Sequence, residues 1–268
     1  MLLDEALKSV LENRDYPSVL REMMGELCAA AVLLAATLKL DGSLVLQVQG
    51  RGPIRLLVVE CSGDLALRAT AKWEGKLEGS LPDLVGDGRF VITLDQKKGQ
   101  SYQGIVPLEG ESVAEILQNY MTRSEQIETR IWLASRGKSA SGMLLQLTPD
   151  GASDDPDAWN RITRLASTLS MDELAGLTAR ELLRRLYHEE DVRLFEPQPV
   201  SFNCTCSREK VGDMLRMLGR EEVESVLAER ETVEVHCEFC NRRYEFDRVD
   251  AAQLFASAFP PQPGETLH

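Results

Sequence analysis

The residues best suited to chemistry in this 268-residue chain are four of its six cysteines. Cys204-Thr205-Cys206 and Cys237-Glu238-Phe239-Cys240 form two close pairs separated by a thirty-residue stretch. Two pairs of soft sulfur ligands suit one tetrahedral Zn²⁺ per chain, with thiolate in all four positions and none left open for catalysis. Zn–S bonds of about 2.3 Å hold sulfurs nearly 4 Å apart, whereas a disulfide requires about 2.05 Å. Metal-bound and disulfide-bonded forms of the same cysteines therefore exclude one another. A disulfide inside the C-x-C pair would also need local bending, because one intervening residue in extended chain leaves the Cα atoms marginally placed for it. A strained disulfide has a relatively oxidising potential, so a cytosolic thiol pool could reverse it. Zinc holds sulfur as thiolate, the form that oxidants attack, and its binding energy of about 10–16 kcal/mol in small zinc domains is also their folding energy. From this chemistry alone, a purely structural zinc and an oxidation switch both fit.

Other signals are weaker. His236-Cys237-Glu238 overlaps the C-x-x-C pair, whereas in zinc deaminases the His-x-Glu part lies upstream of a separate Pro-Cys-x-x-Cys. No βαβ pattern places Cys237 at a helix N-terminus, as a thioredoxin-like redox pair would require. Cys28 lies in an apolar helix pattern and Cys61 at the end of an apolar strand pattern, so both read as small core residues without a role. His188 and His268 have no ligand partner at useful spacing and read as surface residues. No catalytic constellation emerges, and the chain is not expected to be an enzyme.

The elements that must bring the two pairs together are legible around them. Val211, Met214, Leu215 and Leu218 recur at helical spacing with Gly219 as a stop, and a second helix pattern runs through Val223, Val226 and Leu227. Strand patterns at Thr232 to His236 and Arg243 to Phe246 flank the second pair, which places it in the turn of a hairpin. Upstream, Ser18 to Leu40 reads as a helix with a capping Ser18, apolar enough to be buried on most sides. A meander follows, with strands at Ser43 to Gln49, Ile54 to Cys61 and Leu65 to Trp73 separated by turn residues. Further strands are expected at Phe90 to Leu94, Gly104 to Leu108 and Gly142 to Thr148, with a helix from Ser112 to Glu128 between the last two. Strands and helices mix without βαβ alternation, which predicts an α+β fold with a mixed antiparallel-sheet and helix core.

Pro149 to Pro156 is an acidic, turn-rich break with a helix after it. Between Ser170 and Phe195, two capping boxes, Ser170 with Glu173 and Thr178 with Glu181, predict two short one-sided helices ahead of Glu196-Pro197-Gln198-Pro199. The expected organisation is a core over 1–169, a helical linker of modest docking over 170–200, a zinc-binding domain over 201–250, and a C-terminal helix with a disordered tail over 251–268. The linker is expected to lean on the zinc domain, so that losing it would expose Leu174, Leu177, Leu182, Leu183, Leu186 and Phe195.

Bulk properties narrow the partners. A composition 43% hydrophobic and 27% charged is ordinary for a soluble globular chain, and the net charge of −13 opposes polyanion binding. The rival class is a structural zinc-ribbon module binding nucleic acid through Arg242, Arg243 and Arg248. Ser201 to Asp250 holds eight Lys and Arg against twelve Asp and Glu, which disfavours it. The N-terminus lacks a basic segment followed by an apolar run, and Leu27 to Leu38 is too short to span a bilayer, so the chain is expected in the cytoplasm without membrane or nucleic-acid partners.

Taken with its flanks, the cysteine pattern resembles the heat shock protein 33 family of redox-regulated bacterial chaperones. The most specific part is Phe202-Asn203-Cys204-Thr205-Cys206-Ser207 with Val235-His236-Cys237-Glu238-Phe239-Cys240-Asn241. Gly52-Pro53 with Leu57-Val58-Val59-Glu60-Cys61, Tyr102-Gln103-Gly104-Ile105-Val106-Pro107-Leu108, and Ser124-Glu125-Gln126 agree as well. The resemblance implies an ATP-independent holdase that is inactive when reduced and zinc-bound. Peroxide or hypochlorous acid, with mild unfolding stress, would form Cys204-Cys206 and Cys237-Cys240 disulfides, release zinc and unfold the linker. It further implies unfolding client proteins as partners, a homodimer on activation and handover of clients to ATP-dependent foldases.

Overall fold

The computed structural model describes residues 1–38, 40–97, 99–147 and 155–256. Most of the acidic break after Leu147, the end of the expected strand at Thr148, and the tail with His268 lie outside the described residues. The chain divides into two compact units, Met1–Asn203 and Cys204–His268.

The first unit runs β1 (Leu2–Leu3), α1 (Glu5–Leu11), α2 (Ser18–Thr37), β2 (Gly42–Gln49), β3 (Ile54–Ser62), β4 (Ala66–Trp73), α3 (Leu81–Val85), β5 (Arg89–Gln96), β6 (Tyr102–Pro107), α4 (Val113–Arg123), β7 (Thr129–Arg136), β8 (Ser139–Gln146), α5 (Ala158–Ala166), α6 (Met171–Gly176), α7 (Ala179–Tyr187) and β9 (Ser201–Phe202). Its larger sheet has the order β6-β5-β2-β3-β4-β9 and its smaller one β1-β8-β7. The β2-β3-β4 meander is antiparallel throughout, and β5 joins the free side of β2. Along β2, Leu44, Leu46 and Val48 are buried while alternate residues are not, the period-2 signature of a sheet with one core face.

Helix α2 packs against strands of both sheets, which is why it is apolar on nearly every side. Gly25 lets it approach β7, because a Cβ there would stand 2.1 Å from the Ser135 hydroxyl. Ser18 is not the cap: Pro17 occupies that position, with a φ of −56° that suits entry into a helix, and Ser18 is the first helical residue. The helix expected to reach Glu128 stops at Arg123, where chain reversal through Gln126 at φ 57° leads into β7, a strand the sequence patterns did not single out.

Between α5 and α7 the expected capping boxes form at Ser170 and Thr178. Ala166, Leu169, Leu174, Leu182, Leu186 and Tyr187 make a separate apolar cluster, packed on Trp132 and Ala134 of β7 and on Met143 and Leu145 of β8. The small sheet of their own unit thus covers the apolar face of these helices. Phe195 departs from expectation: it lies in the irregular stretch before Pro197 and is 69% exposed, its ring beneath the Arg193 guanidinium. It forms no part of the buried linker face.

The second unit contains α8 (Arg208–Leu218), α9 (Arg220–Glu229), β10 (Val233–His236), β11 (Arg243–Phe246) and α10 (Arg248–Ala256). Val211, Leu215, Val223, Leu227, Val233, Tyr244, Phe246, Ala251 and Phe255 form its core. So few buried side chains make a thin core, the circumstance in which a metal or disulfide is usually needed to hold a small unit together. Gly219, at φ 103°, ends α8 and turns the chain into α9.

Candidate metal centre

Both cysteine pairs sit where local structure exposes sulfur. Cys204-Thr205-Cys206 leads into α8, whose N-cap Ser207 accepts from the Lys210 N–H at 3.2 Å, while the Lys210 ammonium donates to the Thr205 carbonyl at 2.8 Å. Cys237 to Cys240 form the turn between antiparallel β10 and β11. The turn is closed by the Cys237 N–H donating to the Arg242 carbonyl at 2.9 Å and the Asn241 N–H donating to the Cys237 carbonyl at 2.8 Å. Asn241 takes φ 54°, and asparagine is among the few residues with a side chain that enter the left-handed region readily.

The four sulfurs all lie within 4.8 Å of one another. Cys204 and Cys237 are 3.6 Å apart, and Cys206 and Cys240 are 3.4 Å apart. These spacings are far longer than a disulfide and near the roughly 3.8 Å edge of a tetrahedron with 2.3 Å Zn–S bonds. Donor chemistry and spacing thus fit a four-thiolate zinc site. All four cysteines are half-buried, open enough for a small oxidant, whereas Cys28 and Cys61 are buried.

Burial pushes the Cys206 thiol up, but hydrogen bonds from the Tyr244 hydroxyl and from the sulfurs of Cys240, Cys204 and Cys237 outweigh it and bring it down to about 7. Burial raises Cys204 and takes Cys240 up to about 12. The backbone at Cys206 and Arg242 acts against this rise for Cys204 and Cys240 respectively. In the core, burial takes Cys61 up to about 12 and raises Cys28 beyond the range of thiolate chemistry.

His236 is not part of the cluster; its ring bonds the Glu234 carboxylate at 2.6 Å, and His188 is exposed. Sequence patterns did not single out Tyr244, whose hydroxyl donates to the Cys206 sulfur at 3.1 Å. Alternation along β11 does place Tyr244 and Phe246 on its buried face, and the pairing of Tyr244 with Val235 carries the phenol toward the cysteine turn.

Fold and site together define a class: an α+β core followed by a small unit built on a cluster of four thiols spaced to hold a metal ion. The chain matches the Hsp33 protein family model over residues 1–247, and it belongs to the Hsp33 family, whose members are non-enzymatic chaperones. The 33 kDa chaperonin of Methylobacillus flagellatus is 60% identical over 99% of this chain and 92% of its own length. That of Chromobacterium violaceum is 52% identical over 94% and 87%. Among solved structures, the Thermotoga maritima 33 kDa chaperonin matches in fold with a TM-score of 0.82 at 22% identity, over 94% of this chain and 90% of that one. No helix among the described residues is long and apolar enough to cross a membrane.

Proposed function

We propose that the chain is a redox-regulated, ATP-independent holdase of the cytoplasm, held inactive by one zinc ion on Cys204, Cys206, Cys237 and Cys240. The observation that carries this reading is the convergence of four half-buried sulfurs within 4.8 Å in a unit with a thin apolar core. When bound, zinc keeps all four sulfurs as thiolates and adds the folding energy that the core lacks. The chain's own groups do the rest. A thiolate attacks one oxygen of a peroxide, the O–O bond breaks, sulfur becomes a sulfenic acid, and hydroxide leaves. A neighbouring thiolate then attacks the sulfenic sulfur, forming the S–S bond and expelling a second hydroxide, which solvent protonates.

The disulfides that result are Cys204-Cys206 and Cys237-Cys240, a pairing that rests on the family likeness. With both pairs oxidised no thiolate would remain to hold zinc, the unit from Cys204 onward would loosen, and the linker over 170–200 would follow. The exposed apolar face holds unfolding client proteins, the activated chains dimerise, and clients pass to ATP-dependent foldases once reducing conditions return. Zinc content and suppression of client aggregation, measured on the same samples before and after peroxide at raised temperature, test this directly. One zinc per reduced chain with no holding activity, and loss of zinc with gain of activity after oxidation, is the expected result. Activity that does not depend on oxidation overturns the switch.

A further inference from the structure

The Tyr244 phenol is not needed as a ligand, yet it is built into the cysteine cluster. It is fixed on β11 with its ring in the core of the second unit, and its hydroxyl donates to the Cys206 sulfur at 3.1 Å. The Arg242 guanidinium lies near the same phenol, close enough for its charge to act on it. A cation near a phenol polarises its O–H and strengthens the bond that the phenol itself donates. One donated hydrogen bond, from Tyr244, thus ends on the Cys206 sulfur, with a cation beside its donor.

A hydrogen bond to a thiolate withdraws electron density from the lone pair that would attack an oxidant, and it also fixes the position of that lone pair. We propose that Tyr244 is a positioning residue that holds Cys206 in ligating geometry and makes it a slow sulfur, so that the first oxidant attack on the cluster falls elsewhere. This rests on the zinc-switch reading, in which all four sulfurs are already thiolates. In the attack itself, the thiolate gives two electrons to the peroxide O–O bond. Sulfenic acid forms on sulfur, and hydroxide departs. At Cys206 the Tyr244 proton already engages the attacking pair, so this step is slower than at a sulfur without such a donor. Cys206 then remains a thiolate able to resolve a sulfenic acid formed on a neighbour.

The test uses the full-length reduced protein and Tyr244→Phe, which keeps the ring in the core and removes only the hydroxyl. Substoichiometric hydrogen peroxide is added with a sulfenic-acid-trapping dione, labelled peptides are quantified by mass spectrometry, and zinc content and release are followed with a chromophoric chelator. In Tyr244→Phe the share of first label on Cys206 is expected to rise severalfold, and zinc release by peroxide to accelerate roughly tenfold, the scale on which lost outer-shell partners act. Arg242→Gln, at an exposed side chain that folding does not need, is expected to shift the label in the same direction by less. An unchanged label distribution in both variants overturns the role assigned to Tyr244. A wild-type protein without zinc overturns the zinc reading instead, and a share of label on Cys206 that falls in Tyr244→Phe then overturns the slowing role of Tyr244.

Discussion

Substituting a ligand and substituting a core thiol should have different consequences, because the two kinds of cysteine face different surroundings. Cys204→Ser or Cys237→Ser removes one of four sulfurs from a cluster that holds a thin core together, so metal retention and the order of the second unit should fall together. Cys28→Ala removes a small buried group from α2, which should cost about 1 kcal/mol of stability and leave zinc untouched. Zinc analysis with a proteolysis time course on all three variants checks this; equal zinc loss at the three positions would show that the ligand set is wrong. Alkylation after peroxide adds an internal control. Burial holds the Cys28 and Cys61 thiols far above neutral pH, so both should remain unoxidised while the cluster reacts. The cluster of four cysteines was legible in the sequence because two close pairs of sulfurs at this spacing have few other uses. Tyr244 was not, since a tyrosine in a strand pattern is equally an ordinary core residue, and only the β10-β11 register carries its hydroxyl to a sulfur.

At the scale of elements, the docking of α5 to α7 on the small sheet sets how readily the linker opens. The buried cluster is small, and its rim is electrostatic: Arg161 bonds both oxygens of Glu190, at 2.6 and 3.1 Å, and also Asp155 at 2.7 Å, while Arg185 pairs with Glu173. Leu182→Ala should cost about 2–5 kcal/mol of local packing, a large share of what so small a cluster can supply. Hydrogen exchange over residues 170–190 should then quicken while zinc stays bound, and less heat should be needed for activation. Unchanged protection there would mean that Leu182 does not anchor the docked state. Acid should act in the same direction. The bonds from Arg161 hold the Glu190 carboxyl below its usual range, and those from Ser170 and Thr178 do so for Glu173 and Glu181. Carboxylates with depressed pKa values stabilise the docked state above their ordinary value of about 4.3, and that contribution is lost as pH falls through the depressed values. The capping boxes that shape these helices could be read from four residues each. What they dock on could not, because β7 directly follows a helix pattern and its alternation, Ile131 and Leu133 inward, merges with that helix until the turn at Gln126 separates them.

For the molecule as a whole, the switch requires that chemistry at the cysteines reach a helical segment whose buried face rests on a sheet of the first unit. The chain supplies a physical route. After α7 it runs without regular structure to β9, which pairs in parallel with β4 through the Ser201 N–H to the Leu65 carbonyl at 3.2 Å and the Asn203 N–H to the Leu67 carbonyl at 3.1 Å. Cys204 is the next residue. A two-residue strand with hydrogen bonds of about 1 kcal/mol each, and with Val200 and Phe202 only partly buried against the core, is a short clamp, so disorder that begins at Cys204 on losing the metal can release β9 and then free the C-terminal end of the linker to fray. The expected order is therefore loss of protection over 201–250 first, then at β9, then over 170–190, with Leu174, Leu182 and Leu186 exposed last. A net charge of −13 would keep such an opened chain in solution while its apolar face holds a client. Hydrogen exchange after peroxide at heat-shock temperature, sampled in time beside light scattering from a denaturing client, follows this sequence directly. Ser201→Pro, which deletes one donor of the clamp, should shorten the interval between the first and last steps without changing zinc content. Should the linker stay protected while the client is nonetheless kept from aggregating, the holding surface lies elsewhere in the chain and the route through β9 is not used.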